Sequence, residues 1–184
     1  MDTIRNFKKR FRKKFILIRL FLKRNAHRSG FALLIALLAF SDYFLFLIPM
    51  TAFLVVSVIA VPKKWFRFSV ATTLGSTIGV MGFSEFIRYY GISWVQEKIP
   101  TLMNTEAWRL ADRLIDHLGA FGLLLFTLLP VGDHPAVVLV SLADLSRYQM
   151  FSAVFIAKLI KFSAFAWVAV YAPQRLKKLK KYEQ

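Results

Sequence analysis

At 184 residues, with 57% hydrophobic content, 19 Phe and a mean hydropathy of +0.52, the chain is far more apolar than a soluble domain of its size and reads as one membrane-embedded domain. It has no cysteine, which excludes disulfides, thiolate metal sites and Cys nucleophiles. The net charge of +16 sits mostly in the two ends, flanking apolar segments, so it suits anionic lipid headgroups better than nucleic acid, the other usual meaning of a pI near 10.4.

Residues 4–24 place Ile4, Phe7, Phe11, Phe15, Ile18 and Leu22 on one stripe of a 3.6-residue period, with Lys and Arg around the remainder. The spacing predicts an interfacial amphipathic helix on the cytoplasmic leaflet, within a basic segment 1–28; a disordered basic tail is the alternative. A secretory signal fits poorly, because the charged region is too long and Leu37 and Phe40 ahead of Ser41 make a bad cleavage site. An organelle presequence stays open.

Residues 31–61 can enter a bilayer but cannot cross it twice. One crossing takes about 20 residues at about 1.5 Å each, so a full pair needs about 40 plus a turn. Eleven Lys or Arg before Phe31, and Lys63, Lys64 and Arg67 after Val61, put both flanks on the cytoplasmic side. The stretch therefore enters and returns as a re-entrant hairpin, broken at Pro49. Residues 66–84 must then cross outward. On that helix Gly75, Gly79 and Gly82 allow close approach of another helix, with intramolecular packing as the first reading and a homodimer contact as the second.

Residues 85–118 are nearly balanced in charge, which suits the outer side. Within them, 106–118 read as a second amphipathic surface helix, with Trp108, Leu110, Ala111, Leu114, Ile115 and Leu118 on one side. His117 at its end reads as a headgroup-level or capping residue rather than a ligand. A second re-entrant hairpin follows at 119–145, entering from the outer side, then a crossing helix at 148–172 and a basic cytoplasmic tail at 174–184. The fold class is thus an all-α membrane protein of two inverted repeats, each a re-entrant hairpin followed by a transmembrane helix.

Chemistry concentrates in three places. Asp42 lies inside the first apolar stretch, where an ionisable group is costly and marks a functional site by default; it serves as a proton site, as a cap for the following helix, or as both. The second tip, LLPVGDHPAV, gathers Pro130, Asp133, His134 and Pro135 around Gly132. Pro135 disfavours helix at His134, so the chain is expected to unwind there, either as a buried polar turn or as an outward-facing loop. Lys158 and Lys161 share one face of the last crossing helix, so they either face the interior and meet an acid or an anionic substrate, with Asp42 and Asp133 as protein partners, or snorkel.

These segments resemble the DedA or SNARE-associated Golgi (VTT-domain) superfamily, most closely its short YqaA-like branch. The resemblance is carried by FSDYFLFLIPMTAFLVVSVIAVPKKW, ATTLGSTIGVMGFSEFIRYYG, FTLLPVGDHPAVVLVSL and FIAKLIKF, and covers roughly residues 31–170. It implies that Asp42 answers to the family's first acid, Pro49 and Pro130 to its hairpin breakers, and Lys158 and Lys161 to the basic pair of its last helix. The chain departs from the family where Met50, Thr51 and Ala52 follow Pro49 without an acid, and where Lys158 replaces an Arg.

The resemblance implies a lipid-translocating protein, flipping or scrambling phospholipid or polyprenyl phosphate through a midplane cavity, in a bacterial inner membrane with both termini cytoplasmic. Its partners would be membrane lipids and their anionic headgroups, with no nucleic acid and no cofactor. Substrate or ion contacts are expected at Asp42, Pro49, Pro130, Asp133, His134, Pro135, Lys158 and Lys161. The alternative is a non-transporting membrane scaffold. An enzyme ranks third, because no metal-ligand cluster, nucleophile triad or cofactor loop is legible.

Overall fold

The computed structural model describes residues 30–45, 50–98, 100–143 and 145–182, with side chains as far as residue 172. The predicted N-terminal amphipathic helix and Pro49 lie outside the described residues. Within them the chain is all-helical, with no strand. The helices are α1 (Phe31–Leu45), α2 (Met50–Ala60), α3 (Trp65–Lys98), α4 (Glu106–Leu118), α5 (Ala120–Leu128), α6 (His134–Leu142) and α7 (Arg147–Tyr182), with single 3-10 turns at Pro62–Lys64 and Leu102–Asn104. Two are long and apolar enough to cross a membrane: Pro62–Lys98, including the 3-10 turn, at mean hydropathy 1.2, and Arg147–Ala172 at 1.8.

Local sequence sets the boundaries. Thr105 caps α4, its hydroxyl accepting from the Trp108 amide at 3.1 Å. Pro130 pushes Leu129 out of the helical region to ψ 151, and α5 stops at Leu128. The expected unwinding of this tip is found, but it ends before His134 and Pro135. His134 and Pro135 form the first turn of α6, where a missing N–H costs nothing because that donor has no intrahelical partner. The unwound segment is therefore 129–133, with Pro130, Val131 and Gly132 exposed.

The first long helix also runs beyond the expected 66–84. It continues to Gly91, whose φ of 73 and ψ of −177 turn the chain sharply, and resumes to Lys98. Glycine occupies this left-handed region without the Cβ clash that other residues meet there. The C-terminal tail, expected from 174 onward, is a continuation of α7 to Tyr182.

α3 presents a face of small and hydroxylated residues: Ser69, Thr72, Thr73, Gly75, Ser76 and Gly79 are all buried. Thr72 and Thr73 return their hydroxyls to carbonyls one turn back at 2.8 and 2.9 Å, so their polarity is satisfied within the helix. α1 packs on this face. A Cβ at Gly75 would land on the Ala36 backbone, and one at Gly79 would meet Phe40. The contacts rise together along both helices, so α1 and α3 run parallel. The glycine face is thus occupied within the chain.

α3 and α7 are antiparallel neighbours. Arg147 pairs with Glu85 at one end through two bonds of 2.6 and 3.0 Å, and the Ser69 hydroxyl reaches the Phe162 carbonyl, at 3.4 Å, towards the other. α1 packs on α3 and α5 on α7, whereas α2 packs chiefly on α7, and α6 reaches across to α3. Two apolar cores result. One joins Phe31, Ile35, Leu54, Val58 and Phe68 to Phe162 and Ala166; the other joins Tyr43, Val80 and Phe83 to Leu123, Phe126 and Val137.

Candidate functional site

α1 buries one stripe, Phe31, Ile35, Ala39 and Tyr43, at a spacing of four that keeps them on one side of a helix. The stripe ends in a phenol, and the phenol meets charge. Lys158 on α7 donates to the Tyr43 hydroxyl at 2.5 Å and to Asp133 Oδ2 at 2.5 Å, while Tyr43 donates to the same Oδ2 at 2.5 Å. The triad joins the last turn of α1, the segment between α5 and α6, and α7.

The triad is closed to solvent: the Lys158 side chain is 5% exposed and that of Asp133 13%. A lone ammonium or carboxylate here would be strongly disfavoured, and each is tolerated because the other is in contact. The ammonium also lies 4.8 Å from the Tyr43 ring centroid and 5.9 Å from that of Phe162, within range of the ring quadrupoles. Asp133 stands at the N-cap position of α6 yet makes no capping bond, because its carboxylate is turned to Lys158 and Tyr43.

Lys161 lies one turn further along α7, half-buried, and donates to the carbonyls of Thr127 at 2.9 Å and Leu129 at 2.7 Å. These carbonyls lack helical partners because α5 stops at Leu128. The lysine thus closes the end of a helix, with its charge at the negative end of the dipole.

The other expected residues divide. His134 is half-buried, its ring 5.0 Å from that of Tyr43 and 6.1 Å from Phe83. Asp42 sits in the last turn of α1, half-buried, within electrostatic range of Tyr43 and His134. Pro135 is buried, and Pro130 is exposed. Asp133, His134 and Lys158 therefore gather around Tyr43, Lys161 stands one turn away, and Pro130 lies exposed in the turn.

Tyr43 is the residue that sequence reasoning missed. The acid next to it drew the attention, although the spacing from Phe31 through Ile35 and Ala39 selects Tyr43 as the inward position. Comparison of the chain with family models, curated proteins and solved structures finds no match.

Proposed function

We propose that this chain is a multi-pass integral membrane protein of two inverted units that moves anionic lipid headgroups across a bacterial inner membrane, with both termini cytoplasmic. The exchange of helices supports the repeat. Each unit's first hairpin helix packs on its own long helix, each second hairpin helix reaches the long helix of the other unit, and the two long helices are antiparallel. A pseudo-two-fold axis in the membrane plane produces that pattern. α2, α5 and α6, at 11, 9 and 9 residues, are too short to cross about 30 Å of hydrocarbon.

The observation that carries the functional reading is the buried triad. Lys158 is the twelfth residue of the 26-residue apolar stretch Arg147–Ala172, so its charge lies near mid-height. Ionisable groups at that depth are rare and mark transport pathways more often than anchors. In the proposed cycle a lipid phosphate displaces Asp133 from Lys158, is passed one helical turn to Lys161, and leaves while its tails stay in lipid. Asp133 and Tyr43 then close on Lys158 again. Asp42, at the edge of the site, biases the return.

Reconstituted vesicles test this. Lys158→Gln with Lys161→Gln should abolish transfer of a fluorescent anionic lipid between leaflets. Unchanged transfer by a variant that keeps its helical circular dichroism rejects the mechanism.

The saturated triad favours a second reading. Three groups that satisfy one another are also a lock holding two hairpins together in a non-transporting scaffold. Removing residues 1–28 discriminates the two, since a transporter keeps its transfer activity and a scaffold that works through its basic segment loses its function.

A further inference from the structure

Beyond the Gly91 turn, the end of α3 folds back over the start of α6, and Val95 is fully buried in the same core as Ala136 and Val137. The fold-back leaves a cavity of about 600 Å³ between these segments and the start of α4, within the range of about 300–1,000 Å³ typical of small-molecule sites. Trp94, Leu102, Ala107 and Pro135 give it apolar walls, and Lys98 and His134 also line it. Nothing in the triad mechanism uses Trp94, Leu102 or Lys98.

The lining has one charge sign to offer. Lys98 pairs with Glu97 at 2.7 Å, but both side chains are more than half exposed, and a pair between neighbours in water is weak and readily exchanged. The first turn of α6 forms part of the wall through His134 and Pro135, so Lys98 is the charged side chain that the lining presents. A free inorganic anion would gain nothing from four apolar walls. A neutral hydrocarbon would gain nothing from Lys98.

We infer that this cavity binds an anionic amphiphile, with its hydrocarbon against Trp94, Leu102, Ala107 and Pro135 and its phosphate or carboxylate head at Lys98. His134 lines the cavity and also packs its ring on Tyr43, so an occupant touches a residue that contacts the triad. Given the proposed lipid transfer, on which the source of the amphiphile rests, this is where a lipid is loaded from the outer leaflet.

The full chain in neutral micelles tests it, with Trp65, Trp108 and Trp167 replaced by Phe so that Trp94 alone reports. Phosphatidic acid with brominated chains should quench Trp94 saturably. Lys98→Gln should weaken that binding about tenfold, the loss of one charge-assisted contact, while Lys98→Arg keeps it. Phosphatidylcholine with the same chains should bind at least about tenfold more weakly, and inorganic phosphate should not compete. Equal quenching by phosphatidylcholine, indifference to Lys98→Gln, competition by inorganic phosphate, or no saturable quenching in a chain with intact helical dichroism each overturns the inference. Lipid transfer without cavity binding removes this site and spares the transfer proposal; cavity binding without transfer does the reverse.

Discussion

The Tyr43 hydroxyl and the Asp133 carboxylate, 90 positions apart, share a hydrogen bond of 2.5 Å, and Lys158 closes the triangle through bonds to both. The bond joins the end of α1 to the turn before α6 directly, and the lysine fixes both to α7. Stability and the proposed function therefore meet at one buried point, and substitutions there separate them.

Lys158→Met leaves the Asp133 carboxylate buried without its cation and should destabilise the protein by about 3–5 kcal/mol. Adding Asp133→Leu removes the stranded charge, so the double variant should recover most of that loss while remaining inactive in lipid transfer. Chemical unfolding in micelles measures the first effect and a vesicle transfer assay the second. Full transfer by the double variant would leave the ion pair with a structural role alone.

Tyr43→Phe keeps the ring against His134, Phe83 and the Lys158 ammonium but removes the hydroxyl, and should cost about 1.5–3 kcal/mol, as for hydrogen bonds to charged groups. Because the hydroxyl serves Lys158 and Asp133 together, the loss should be markedly smaller once both are replaced. A double-mutant cycle reads this coupling, and strict additivity would mean that the phenol acts independently.

How much of this was legible beforehand depends on which signal each element left. Helix termini written in proline and charge periodicity came through: the surface helix at 106–118, the break at Pro130, and the demand that Lys158 meet an acid. Pro135 misled, because a proline that breaks a helix interior also starts one, and only its distance from the preceding break distinguishes the two. Tyr43 carried no charge to attract notice. Lys161 was expected to meet an acid or a substrate, and its carbonyl partners exist only because α5 ends where it does, which a side-chain pattern does not reveal.

Gly75 and Gly82 should respond oppositely to the same change. A methyl at Gly75 would strike the Ala36 backbone, which cannot rotate away, so Gly75→Ala should cost about 1–3 kcal/mol through separation of α1 from α3. At Gly82 the nearest atom is Phe44 Cζ at 3.4 Å, an ordinary contact, and Gly82→Ala should be neutral or stabilising by up to about 1 kcal/mol. Thermal denaturation of the two variants side by side checks the contrast.

Lys161→Met would strip two carbonyls of their donor without touching the triad. The expected effect is local: faster amide hydrogen exchange over residues 126–133, with exchange in α3 unchanged. Global acceleration would mean that the helix end and the triad open as one unit.

The proposed inverted arrangement makes a demand on sidedness that no single hydropathy value can meet. Two returning hairpins and two crossings would leave Lys63 and Lys181 on one face of the membrane and Asp116 on the other. Because the chain has no cysteine, Lys63→Cys, Asp116→Cys and Lys181→Cys each give a single reporter in an otherwise silent background. An impermeant maleimide applied to intact cells should label only the Asp116 position, and applied to inverted vesicles only the other two. If the second hairpin instead ran straight through, the parity of crossings between the two lysines would change, and Lys63 and Lys181 would label from opposite faces. The triad would then join segments that do not meet at mid-height from the two sides, and the path from Lys158 to Lys161 would have no membrane to cross.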